Sequence, residues 1–151
     1  MATDAEPVAL TTSTPKGELA VRILAMPADT NPSGDIFGGH IMSLMDLAGG
    51  ITAAALAEGR VATIAVTNMA FLRPVKVGDV VCCYTDLARV GRTSLTLCVE
   101  VWVSRQRQGD RIKVTSAEFT FVALDEAGKP RLIPPQTTTS AAASLTARSA
   151  G

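Results

Sequence analysis

Apolar and polar positions follow two different periods along the chain, and the change between them divides it. Over residues 40–58, Ile41, Leu44, Met45, Ala48, Ile51, Ala55 and Leu56 recur at helical spacing, and Gly59 closes the run. This is the one long helix the pattern predicts. After Gly59 the period changes to that of strands. Residues 61–72, 80–90, 93–105 and 111–124 are predicted strands. They are separated by Pro74 with the turn at 76–79, by Gly91-Arg92, and by the polar stretch 106–110, and residues 125–129 close the last one. A shorter apolar run before the helix, 18–26, stops at Pro27 and predicts a fifth strand. Between it and the helix, residues 28–39 are crowded with Asp, Asn, Pro, Ser and Gly, which predicts a loop.

The order is therefore strand, long helix, then four strands on tight links, and short links favour antiparallel pairing. A lone helix buries its apolar stripe against such a sheet only by lying across one face. The predicted class is α+β, with a curved antiparallel sheet of about five strands wrapped around one helix, the hotdog architecture. Residues 1–16 and 135–151 are rich in Thr, Ser, Ala or Pro without a sustained period and read as flexible tails. The expected domain is 17–134.

Composition narrows the function classes. With 151 residues there is room for one ordinary core. The formal net charge is zero, so neither nucleic acid nor an anionic membrane is an expected partner, and any anion site has to be local. Cys82, Cys83 and Cys98 lie in apolar β-like runs with neither metal spacing nor an even count; they read as buried, reduced thiols of a cytoplasmic protein. No metal is expected. The start of the chain has no secretory pattern, and the apolar stretches are expected to fall short of the roughly 20 residues of a membrane span.

Asp46 is the most informative residue. It sits mid-helix between Met45 and Leu47, with Met42, Gly49, Gly50 and Ala53 at helical spacing. A glycine inside a helix costs roughly 1 kcal/mol relative to alanine, and the pair suggests that something approaches the backbone, either a second subunit or a substrate chain. A carboxylate on that strip, withdrawn from water, would be a base able to activate a water molecule. Just upstream, Gly34-Asp35-Ile36-Phe37-Gly38-Gly39 leads into the helix start, where unpaired amides could hold an oxyanion. The residues alone leave plainer readings open, with Asp46 facing solvent and the glycines making only a turn. His40 is the sole histidine, no Gly-x-Ser-x-Gly elbow is present, and His40 reads as a pocket wall rather than a base.

These stretches carry a resemblance. Residues 25–31 with Asn31, then 34–39, 41–43 and Met45-Asp46 are similar to the YciA-like bacterial acyl-CoA thioesterases. So are Phe71-Leu72-Arg73-Pro74, residues 77–84, Gly91-Arg92-Thr93-Ser94, and 99–103. The similarity runs from about Leu24 to Pro134. It implies the hotdog fold, a homo-oligomer whose active unit is a dimer with a continuous sheet, assembly of three dimers, and a site at the dimer interface. It puts the family's catalytic aspartate on Asp46 and a contributing loop residue on Asp35. Residues 91–94 fall near the coenzyme A nucleotide, where Arg92 suits a phosphate; Arg73 is a second candidate. Asn31, Phe37, Gly38, His40 and Asn68 complete the expected substrate-binding set. No cofactor is implied, because coenzyme A is part of the substrate. Many relatives have Trp at the place of His40, and an acid frequent near residues 66–70 is missing here.

The expected mechanism has Asp46 as general base, amides around Gly38, Gly39 and His40 holding the carbonyl oxygen, and Asp35 orienting the water or the carbonyl. Direct attack by Asp46 through a mixed anhydride is the alternative chemistry. A non-catalytic acyl-CoA-binding regulator or an acyl-CoA dehydratase of the same fold is the alternative function.

Overall fold

A computed structural model describes residues 14–105 and 109–137. Residues 1–13 and 138–151 of the expected tails, and 106–108 of the expected turn, lie outside the described residues. The elements run β1 (Glu18–Leu24), a 3-10 turn (Pro27–Asp29), α1 (Gly38–Ala57), β2 (Val61–Phe71), β3 (Val80–Val90), β4 (Ser94–Ser104) and β5 (Arg111–Ala123). Helix α1 starts two residues earlier than its apolar period, because Gly38 and Gly39 carry helical backbone without contributing to an apolar stripe. It ends when Glu58 turns left-handed, at φ 55°.

The strands form one antiparallel sheet in the order β1-β3-β4-β5-β2. Consecutive strands β3, β4 and β5 are neighbours, whereas the helix carries the chain from one edge, β1, to the other, β2. Inward positions alternate along the central strands: Val81 and Cys83 on β3, Leu95 to Val103 at every second residue on β4, and Ala117, Phe119 and Phe121 on β5. They close over Ile41, Leu44, Met45 and Ala48 of α1. The sheet curves around α1, which packs on all five strands.

At 20 residues and mean hydropathy 1.3 the helix does match a membrane span in length and composition, contrary to the expectation from the runs. Its packing against every strand makes it the core helix of this domain. Gly49 shows why the helix interior is glycine there: a Cβ would come within 2.9 Å of the Phe121 ring. The approach comes from the chain's own sheet.

All three thiols are free; Cys82 and Cys83 are buried and Cys98 is half-buried. Burial, and secondarily the neighbouring Cys82, pushes the Cys83 thiol up to about 12. A thiol held protonated in this way is no nucleophile at neutral pH.

The C-terminal end of α1 is closed by side chains from far along the chain. Arg131 donates through Nη2 to the Ala57 carbonyl at 2.7 Å and through Nε to Leu124 at 3.0 Å, and Gln136 donates to Leu56 at 3.0 Å. Arg131 also sets a cation at the negative end of the helix dipole. Losing charged bonds of this kind costs about 2 kcal/mol. Arg131→Ala is thus expected to lower the melting temperature by about 4–8 °C in a calorimetric scan, for a domain of this size.

Candidate active site

Asp46 sits on the flank of α1 that faces β2. Thr63 Oγ1 donates to its Oδ1 at 2.5 Å, which fixes the carboxylate plane and leaves Oδ2 open. The pair lies on a shallow groove of about 440 Å³ with Leu47, Gly50, Ile51 and Phe121. The expectation of a carboxylate withdrawn from water is not met in the single chain: Asp46 is exposed, as are Leu47 and Ile51 beside it. Gly50 faces this groove, so of the glycine pair only Gly50 stands where an outside molecule can approach. Thr63 escaped the sequence reading because its role depends on β2 lying beside the helix.

The glycine-rich loop is organised by Asn31. Its side-chain Oδ1 accepts from the amides of Ser33 (3.0 Å) and Asp35 (3.1 Å), while its own amide donates to the Asp35 carbonyl at 2.7 Å. That folds residues 31–35 into a tight turn and leaves only the Asn31 NH₂ for a ligand. Asn31, Asp35, Gly38, Phe71 and Arg73 line one cavity of about 310 Å³. The Asp35 carboxylate is paired with Lys76 Nζ, a partner the sequence did not suggest.

Phe37 precedes the helix in extended conformation, and no side chain caps the amides of its first turn. The His40 amide turns back onto the Phe37 carbonyl at 3.1 Å, so Gly38 and Gly39 supply the available donors and His40 does not. The His40 ring packs 5.9 Å from the Phe37 ring, and Nε2 lies 3.5 Å from Asp29 Oδ2. His40, expected in the pocket wall, therefore packs at the helix start against Phe37 and its unforeseen partner Asp29, and neither His40 nor Phe37 lines the loop cavity.

The other expected residues stand apart. Gly91, Arg92, Thr93 and Ser94 form the β3–β4 hairpin, closed by the Gly91 amide on the Ser94 carbonyl at 2.8 Å. Ser94 pairs with Val122 and Val61 with Ala123, which puts the hairpin toward the Val61 end of β2, whereas the loop cavity borders the Phe71 end. The Arg92 carbonyl accepts from the Ile133 amide at 2.8 Å, while its side chain remains in solvent. Asn68 is exposed and left-handed, at φ 57°, within a bulge of β2 between Thr67 and Ala70. Asparagine tolerates that backbone better than most residues, which gives it a structural reason to be there.

A single chain therefore presents three separated pieces. From Gly39 to Asp46 the helix advances about 10 Å, too far for one reacting carbonyl to touch both. Two exposed apolar strips flank these pieces. One runs along α1 through Met42, Leu47 and Ile51, and the other along edge strand β2 and its exit through Ile64, Val66, Phe71 and Leu72.

The model of the thioesterase superfamily matches residues 33–109, which include Gly34 to Gly39 of the loop, Asp46 and the hairpin. The chain is 54% identical over 127 residues to the acyl-CoA thioester hydrolase YciA of Salmonella typhimurium, covering 82% of this chain and 96% of that one. Among solved structures it resembles a hexameric thioesterase from Yersinia pestis, at 54% identity and a TM-score of 0.78, with 82% of this chain and 100% of that chain covered. It also resembles a hexameric broad-specificity acyl-coenzyme A thioesterase solved as an aspartate-to-alanine mutant, at 50% identity and a TM-score of 0.79, covering 86% and 96% of the two chains.

Proposed function

From the membership of this chain in the thioesterase superfamily, to which it belongs, we infer that it is an acyl-CoA thioester hydrolase with Asp46 as its reacting carboxylate. The observation that carries the site assignment is the Asp46–Thr63 pair: a carboxylate anchored through one oxygen at 2.5 Å, with the other open over a groove. Asp46 Oδ2 takes a proton from water as the water oxygen bonds to the thioester carbonyl carbon. The carbonyl oxygen becomes an oxyanion held by amide donors at a helix start. Collapse of that intermediate breaks the carbon–sulfur bond, and the proton on Asp46 passes to the leaving thiolate. The products are a fatty acid and coenzyme A.

The active unit is a dimer. Strand β2 is a sheet edge with unpaired backbone groups and exposed Ile64 and Val66, an arrangement soluble proteins keep covered. Antiparallel pairing of two β2 strands about a two-fold axis brings the Phe71 end of one copy beside the Val61–Thr63 end of the other. The partner's Gly38–Gly39 amides and loop cavity then face Asp46, and its entry excludes water from the groove. The Arg92 hairpin comes to the same end, which places a cation within reach of the coenzyme A phosphates. The hexameric relatives support three such dimers per assembly.

Thiol release from acetyl- to palmitoyl-coenzyme A tests the activity. Turnover of part of the series is expected; no release at any chain length, with coenzyme A still bound, would instead make the protein a binding regulator. For the assembly, Ile64→Glu places a charge on the pairing edge. It is expected to elute as a smaller species on sizing, with activity falling in step with the dissociated fraction.

A further inference from the structure

The outer face of the sheet, turned away from α1, holds a second apolar cluster of Cys82, Tyr84 and Trp102, all buried although no helix among the described residues covers them. The register sets Arg22 opposite Cys82, Cys82 opposite Trp102, and Arg111 opposite Ser104. Over this floor opens the most voluminous of the cavities described, about 640 Å³, bordered by Arg22, Cys82, Trp102, Ser104 and Arg111.

The charge balance there is uneven. Lys16, Lys76, Arg89, Arg105 and Lys113 each sit within 4.0 Å of a carboxylate. Among the described residues neither Arg22 nor Arg111 does. Arg111 is held by a neutral aromatic instead: its guanidinium carbon lies 5.5 Å over the Tyr84 ring and its Nη2 donates to the Tyr84 hydroxyl. Such a contact fixes the fork without cancelling its charge. Two exposed guanidiniums without a carboxylate partner thus share one concavity, while the one buried carboxylate on this face, Glu100, is taken up by Trp102 Nε1 at 3.0 Å and by Lys113.

We propose that this outer-face cavity is a second binding site, for a diphosphate-bearing anion bridged between Arg22 and Arg111 with the Ser104 hydroxyl as a further donor. The two forks match phosphate oxygens in pairs. The sheet separates this site from the thioester groove, so the proposal stands independently of the reading of Asp46.

Trp102 is the only tryptophan, so the fluorescence of the intact protein reports on this cavity. Titration with inorganic pyrophosphate is expected to give a saturable change, with calorimetry as the parallel readout. Arg22→Gln and Arg111→Gln should each weaken binding about tenfold and leave kcat/KM for acyl-coenzyme A unchanged. Arg92→Gln, in the β3–β4 hairpin and outside the cavity lining, should leave pyrophosphate binding intact. ADP binding more tightly than pyrophosphate would assign a nucleoside diphosphate, and equal affinities would assign the diphosphate group alone. Absence of saturable binding by both readouts overturns the proposal. So does binding that survives both arginine variants or is lost only in Arg92→Gln.

Discussion

Asp46→Asn is expected to lower acyl-coenzyme A hydrolysis by a factor on the order of 10²–10⁴ while the protein still folds, assembles and binds coenzyme A. The substitution keeps the shape of the side chain. An amide oxygen can still accept from Thr63 Oγ1, so the contact that positions the group survives; what is lost is the ability of the other atom to take a proton. Asp46 carries no ion pair among the described residues and is exposed in the single chain, so its replacement leaves the core untouched. Steady-state thiol release on the purified variant, with its elution volume and coenzyme A affinity measured alongside, checks this. Near-wild-type turnover by a folded Asp46→Asn protein would remove Asp46 from the chemistry. Single turnover in oxygen-18 water tests for a mixed anhydride hydrolysed at the aspartyl carbonyl. Label appears in the fatty acid if Asp46 activates water, and in the protein if a mixed anhydride forms and is hydrolysed at the aspartyl carbonyl.

The features that fixed Asp46 in the sequence were local, and local features are what a sequence exposes. A charge inside an apolar helical period, bounded by Gly59, needs no tertiary information to stand out. The strands were legible for the same reason, since an alternation over ten residues records which face is buried. The partners were not. Thr63 reaches Asp46, Lys76 reaches Asp35, and Arg131 reaches Ala57 only because the sheet order returns distant segments to the helix. Residue type gave no warning, because a threonine in a strand or an arginine after a turn is ordinary. The glycines at 49 and 50 looked alike in sequence and have different causes, an internal ring against one and an open groove at the other. The expected burial of Asp46 is not met in the single chain, where the flank of α1 that carries it, with Leu47 and Ile51, is exposed. His40, expected as a pocket wall, packs its side chain on Phe37 and Asp29, and its backbone amide, expected among the oxyanion donors, is already committed to Phe37.

A site divided between two copies predicts an outcome that a site within one chain forbids. Gly39→Pro removes an oxyanion donor at a position in the first helical turn, where a missing amide breaks no helical bond; Gly38 before it has no Cβ to meet the proline ring, and the added Cβ, 3.1 Å from the Phe37 ring, asks that exposed side chain to shift by a few tenths of an ångström. Alone, this variant is expected to be as impaired as Asp46→Asn. Co-expressed in equal amounts, the two chains form mixed dimers in about half of all pairings, given a symmetric interface. Each mixed dimer has one site built from an intact Asp46 and an intact Gly39, and one site defective in both. About a quarter of wild-type activity should therefore return, roughly two orders of magnitude above either parent. Were Asp46 served by the amides of its own helix, every site in the mixture would keep one defect, and activity would stay at the residual level of the parents. Measuring the mixture against its parents thus reads the geometry directly: the roughly 10 Å that separates Gly39 from Asp46 along α1 is bridged by the partner or not at all.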